Sequence, residues 1–291
     1  RIFMGNRNRI TGERRSPYEI LVIGDIMLDQ YMLSRETGLC RKVHASMPEP
    51  DGIICCLGGA AGVAANIRST GGKVTLAGVV GKDEEGEKIR KILIRKSIPA
   101  ILGMGDSWCT SGNLWDTAGE LSPVSRDGGG TQNFSSGIFH DVLRLVTLIA
   151  EDIRLVMILD YERGVVSEGL LCAVREFCES GEIPVLIGTS GKDLSGYRGN
   201  DVIRLDFTDT QAVFLAGLSM GISMGLPRET ACKMADELVL KAVRKGTSCS
   251  EENFPDAEDS FGKVGARTAK AEDWRRIVER VLSGESVNCS G

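Results

Sequence analysis

Three groups of residues in this chain have types and spacing that could do chemistry. Gly24-Asp25 closes an apolar run that begins at Glu19, and Asp29 follows four residues later. Carboxylates at that end of a buried strand stand where open α/β sheets gather ligands, and they accept hydrogen bonds from hydroxyl or amide donors. Gly58-Gly59 lies at the junction between a loop and a helical run. Glycine lets backbone N–H groups come close to a ligand there, although a Gly-Gly pair on its own serves tight packing just as well. Asp160 ends another apolar run, Leu155 to Leu159. It reads either as a third carboxylate at the same sheet edge or as part of a solvated strand-end loop.

Other chemistries are disfavoured. The chain has two histidines, His44 and His140, and nine scattered cysteines with no Cys-x-x-Cys pair, which argues against a metal or dithiol site. Most of these thiols, the adjacent Cys55-Cys56 included, read as reduced, small core hydrophobes in a cytosol-like compartment. There is no Gly-x-x-x-x-Gly-Lys-Ser/Thr loop, so P-loop nucleotide hydrolysis is not expected. A net charge of −5 gives no global attraction to nucleic acid or to anionic membranes. The longest apolar stretch, Val142 to Ile158, is broken by Arg144, Glu151, Asp152 and Arg154 and cannot span a bilayer. A length of 291 residues with 42% hydrophobic composition can bury a large core.

The elements that must position these residues alternate between strand and helix, the mark of a layered α/β sheet. Glu19 to Gly24 reads as a first strand, and residues 30–57, polar and carrying Pro48 and Pro50, as a small lid. A helix over Ala60 to Ser69 stops at Gly71-Gly72. A strand over Val74 to Val80 and a helix over Glu84 to Arg95 follow. Residues 103–137, rich in Gly, Ser and Thr, read as loop. Periodicity returns with a helix over Ile138 to Ala150, a strand over Leu155 to Leu159, a helix over Ser167 to Ser180 and a strand over Ile183 to Ile187. Val213 to Met224 suits a buried helix, and Pro227 opens one running to about Lys245. Residues 1–17 carry five arginines against Glu13 and read as a disordered leader or the remnant of an organelle transit peptide. Because the chain starts with Arg, it reads as processed, trimmed or incomplete. Residues 251–291 read as an acidic linker with an amphipathic helix over Ala271 to Leu282. A soluble protein of the cytoplasm or an organelle interior is expected.

Residues 18–250, except over 99–137 where the match is poor, resemble the PfkB (ribokinase) family of carbohydrate kinases, and most closely the heptose 7-phosphate kinase domain of bifunctional ADP-heptose synthases. The resemblance rests on Tyr18-Glu-Ile-Leu-Val-Ile-Gly-Asp-Ile-Met-Leu-Asp29, Leu57-Gly-Gly-Ala-Ala-Gly-Val-Ala-Ala-Asn66 and Val74-Thr-Leu-Ala-Gly-Val-Val-Gly-Lys-Asp83. It continues through Asp160-Tyr-Glu-Arg-Gly-Val165, Pro184 to Asp193 and Tyr197-Arg-Gly199, and resumes more weakly over 205–250. It implies a ribokinase-like α/β sheet with a small lid. It also implies a sugar site at Gly24, Asp25, Asp29, Gly58, Gly59, Asn66 and Asp160.

The departures from the family pattern bear on function. An Asn that faces the sugar in the heptose kinases is Gly62 here, and Arg163 replaces a lysine. Gly188 and Ser190 stand where the family has Asp and Lys. The family's Gly-Ala-Gly-Asp, which supplies an anion hole and the catalytic base, is replaced by Asp209-Thr210-Gln211-Ala212. Ala212 cannot take a proton, Asp209 would oppose a phosphate, and Gln211 adds a side chain where glycine allowed close approach. Tyr197-Arg-Gly199 is followed so soon by Asp206 that the nucleotide-side strands are read as deleted, which would leave a sheet edge open near Val202 to Phe207. No His-x-Gly-His motif of an adenylyltransferase is present. We therefore expect a pseudokinase with no catalytic residue, metal or cofactor, acting as a structural or interaction subunit. Its partner would be a protein or a second copy docked through the lid, with a residual sugar phosphate as ligand. The alternative is an active sugar kinase using ATP and Mg with atypical residues.

Overall fold

The apolar run from Glu19 does not stop at the aspartates. Strand β1 spans Glu19–Leu33 and serves two sheets in turn. Up to Asp25 it pairs in parallel with β3 (Lys73–Gly81) and β6 (Ile153–Asp160). From Met27 onward it pairs instead with β2 (Gly52–Gly58), antiparallel, and β5 (Ser111–Trp115), parallel. The main sheet is completed by β4 (Ala100–Gly105), β7 (Val185–Thr189) and β8 (Asp201–Arg204), in the order β4-β3-β1-β6-β7-β8, with every pairing parallel. This is a computed structural model, and it describes residues 19–33, 52–105, 108–115, 153–197, 201–206 and 209–244.

Burial on both faces explains why β1 and β6 read as unbroken apolar runs. Ile20 and Val22 point into the larger core with Leu76, Leu155 and Met157, while Leu21 and Ile23 point into a second cluster with Val156 and Ile158. The larger core is closed by α1 (Gly59–Ser69), α4 (Asp209–Ser223) and α5 (Arg228–Arg244). The second is closed by α3 (Glu168–Gly181) through Leu170, Val174 and Cys178. Helix α2 (Glu84–Arg95) starts where Asp83 accepts the Gly86 N–H and where Glu84, Glu85 and Glu87 suit the helix's positive end. Ser167 caps α3 in the same way by accepting from Leu170 N.

Several readings of the sequence need correction. Asp25 and Asp29 lie inside β1, because the backbone exchanges its main-sheet partners for β2 and β5 rather than leaving the sheet. Residues 103–137 are not all loop: β4 runs to Gly105, and β5 lies wholly within that stretch. Ser-Gly-Asn-Leu-Trp has no apolar alternation to announce a strand, and its pairing with β1 decides the outcome. Helix α4 begins at Asp209, four residues earlier than expected, and β8 went unread. The strand expected over 183–187 is Val185–Thr189. Residues 205–208 alone join β8 to α4, which accords with the short connection read from the sequence. The leader, residues 34–51 of the lid, the helices expected over 138–150 and 271–282, and the linker lie outside the described residues. No helix among the described residues is long and apolar enough to cross a membrane.

Candidate functional site

Asp25 sits where β1 exchanges its main-sheet partners for those of the lid. Its side chain is 1% exposed, and both oxygens are committed to backbone. Oδ2 accepts from Tyr161 N at 2.7 Å and Arg163 N at 3.1 Å, and Oδ1 accepts from Val165 N at 3.1 Å. Asp25 therefore clamps the loop after β6 onto the end of β1. Burial pushes its carboxyl up to about 6, and the nearby charge of Asp160 adds to the rise. The three amide donors oppose the shift. At Gly24, a Cβ would overlap the carbonyl of Leu159, so glycine is what allows β1 and β6 to close at this point.

Asp29 lies one step further along, on the lid. It is flanked in register by Cys56 of β2 and Asn113 of β5, so these three form one row across the lid sheet. Asp29 Oδ1 accepts from Asn113 Nδ2 at 2.7 Å. Its carboxylate also packs against Gly58, where any Cβ would overlap it. Gly59 has φ +55, a left-handed conformation that favours glycine, and begins α1 directly beside Asp25 O. The expected Gly-Gly pair and both aspartates are thus brought together. Strand β5 is held for this purpose by Asp83, which accepts from Thr110 N and Thr110 Oγ1, both at 2.6 Å. Burial alone would raise the Asp83 carboxyl, but these bonds and the one from Gly86 outweigh it and hold it below its ordinary value.

Two of the expected sugar contacts, Asn66 and Asp160, make hydrogen bonds within the chain. Asn66 is buried on α1, where its Nδ2 donates to Gly62 O at 3.0 Å, one turn back. A Cβ at Gly62 would stand 2.8 Å from Leu57 O, so the site has no room there for the Asn of the heptose kinases unless the backbone shifts. Asp160 accepts the Tyr197 hydroxyl on Oδ2 and Glu162 N at 2.8 Å on Oδ1, which closes its own loop. Tyr197 is pushed up to about 12, first by burial and then by its bond to Asp160.

Asp206, just before the start of α4, acts on Tyr161 together with Asp29 and Asp25. Gln211 spans the short connection there: its Nε2 donates to Arg204 O at 2.7 Å and its Oε1 accepts from Asp206 N at 2.6 Å. Ala212 is half-buried and packs against the main core. Thr210 is half-buried, and the side chain of Asp209 lies outside the described residues. A Cβ at Gly188 would stand 2.6 Å from Leu205 Cδ2, and Arg204 donates to the carbonyls of Gly191 and Lys192. Leu205 thus packs on the end of β7, and Arg204 ties β8 to the loop that follows β7. Tyr161 is buried, and its phenol is pushed well above the ordinary range by burial and then by Asp29, Asp206 and Asp25. Among the described residues, no three His, Cys, Asp or Glu side chains are arranged to hold a metal ion.

The sequence reading missed Asn113, Tyr197 and the bridging role of Gln211. Asn113 lies in a stretch whose composition says loop, and no local signal marks it. By sequence Gln211 is a departure from the family's glycine, and its amide, which both donates and accepts, suits a tight connection.

No family model matches the chain. It is 25% identical over 239 residues to the bifunctional protein HldE of Trichlorobacter lovleyi, an alignment covering 81% of this chain and 49% of that protein. The chain thus spans about half the length, or less, of the curated relatives it matches. Among solved structures, phosphofructokinase-2 from Escherichia coli in complex with fructose-6-phosphate superposes with a TM-score of 0.61 at 14% identity, covering 92% of this chain and all of that one. Ribokinase from Giardia lamblia gives 0.60 at 10% identity, covering 91% of this chain and all of that one. The chain is thus similar in sequence to the HldE proteins and has the ribokinase-like α/β fold.

Proposed function

We propose that this carbohydrate-kinase homologue no longer transfers phosphate and serves as a sugar-responsive structural or interaction subunit. The observation that carries this reading is the start of α4. Phosphoryl transfer needs a base for the attacking hydroxyl and preorganised donors for the moving phosphoryl group. At those places Ala212 offers no base, and Gln211 ties Arg204 O to Asp206 N across the connection. Leu205, packed on Gly188, fills space beside the end of β7. These residues do not fit ATP with Mg. The sugar end keeps Asp29, Gly58 and Gly59 together, which supports retained binding without turnover. A partner, either another protein or a second copy, would dock on the lid built from β2, the second half of β1 and β5.

One observation favours the alternative of an active kinase with atypical residues. Asp206 is exposed, lies near the start of α4, and acts on Tyr161 together with Asp29. Calorimetric titration of the full chain separates the two readings. We expect no heat from ATP-Mg and measurable heat from at least one sugar. ATP-Mg binding that is weakened by Asp206→Asn would favour the kinase.

A further inference from the structure

The main sheet ends at β8: among the described residues no strand pairs with the side of β8 that faces away from β7. That side carries a regular row of backbone donors and acceptors. Leu205 N donates to Thr189 O of β7, and along an extended chain successive residues turn their N–H and C=O to opposite sides. Val202, Arg204 and Asp206 therefore turn theirs outward. The side chains of β8 suit an interior strand rather than an edge. Val202 packs against the second core cluster and Ile203 against the larger one, so apolar contacts lie on both faces. A cationic side chain often guards a sheet edge, but Arg204 is tied to the carbonyls of Gly191 and Lys192 in the loop after β7.

Gln211 stands at that edge instead. The chain turns from β8 into α4 within residues 205–208, which brings the first turn of α4 back to the end of the strand. Gln211 Nε2 donates to Arg204 O at 2.7 Å, and Oε1 accepts from Asp206 N at 2.6 Å. These two groups flank Leu205 on the outward side. A residue of a neighbouring parallel strand makes the same pair of bonds: it donates to the carbonyl one residue before its opposite number and accepts from the N–H one residue after it. The Gln211 amide thus occupies the place of one residue of a further strand.

We propose that Gln211 is an edge stop, which ends the sheet at β8 and keeps β8 from pairing with β8 of a second copy of this chain. A second copy fits because two identical edges, paired antiparallel about a twofold axis, present matching rows of donors and acceptors to each other. Without the amide the outward row from Val202 to Asp206 is open, and an open edge templates pairing.

The test is sedimentation velocity of the full chain over a wide concentration range, with the native chain as the reference for association through other surfaces. Gln211→Ala should associate about tenfold more tightly than the native chain, the size of about one or two net hydrogen bonds. Deuterium exchange over residues 201–206 should slow with rising concentration in the variant and not in the native chain. If circular dichroism shows that Gln211→Ala does not fold, Gln211→Asn, whose shorter side chain does not span both groups, decides in its place. Association equal to that of the native chain overturns the edge stop, and so does tighter association without the concentration-dependent slowing over 201–206. Loss of folding in both variants also overturns it, and makes Gln211 a residue that the fold itself requires.

Discussion

Asp25 sets two physical effects against each other, and its response to pH shows which one wins. Burial and the charge of Asp160 raise its carboxyl from 3.8 to about 6, against the pull of three amide donors. In the unfolded chain the group titrates near its ordinary value. Between the two values the folded state therefore holds the proton more firmly than the unfolded state does. The stability this contributes is complete below about pH 4 and is lost as pH rises through about 6. A difference of about two units corresponds to about 3 kcal/mol, of which about 2 kcal/mol falls between pH 4.5 and pH 7.5. Asp25→Asn removes the titration. It also turns an amide NH2 towards backbone N–H donors, a cost of about 1–3 kcal/mol that does not vary with pH. The variant should thus be less stable than the native chain at about pH 4.5, and the gap should narrow by about 2 kcal/mol by pH 7.5. Urea unfolding followed by circular dichroism at both pH values measures the gap. A gap that stays constant, or that widens as pH rises, would mean that the amide donors outweigh burial and that the reasoning is wrong.

Other expectations rest on separate contacts. Gln211→Ala leaves Arg204 O and Asp206 N without their partner; because the site is exposed, the loss should be about 0.5–1.5 kcal/mol in chemical unfolding. Gly58→Ala drives a methyl into the Asp29 carboxylate, so it should lower the melting temperature and abolish sugar-induced stabilisation in a thermal-shift assay. Ala212→Asp alone should not restore phosphotransfer in a coupled ADP-release assay, since Gln211 still ties Arg204 O to Asp206 N and Leu205 still packs on Gly188.

The parts of the fold legible in the sequence were those whose physics is local. Helix α2 was read to the residue because Asp83, three glutamates and an apolar stripe all mark the same start. The main-sheet strands β1, β3 and β6 were legible because burial on both faces makes them continuous apolar runs. Strand β5 could not be read, since Ser-Gly-Asn-Leu-Trp is a strand only through its pairing with β1. The same limit hid Asn113, whose interest lies in what stands beside it on the lid. The early start of α4 was missed because Asp209 to Ala212 carry no apolar period. The grouping of Asp29 with Gly58 and Gly59 was anticipated from the family pattern, whereas Asp25 and Asp160 prove to be engaged in holding backbone and a tyrosine.

The most direct test of the central claim is phosphotransfer itself. The full chain, with ATP-Mg and a panel of hexoses, heptoses and their monophosphates, is followed by ADP release and by phosphorus NMR of the sugar product. The account predicts no product above the enzyme-free control. Sustained formation of a phosphorylated sugar that disappears in Asp29→Asn would contradict it.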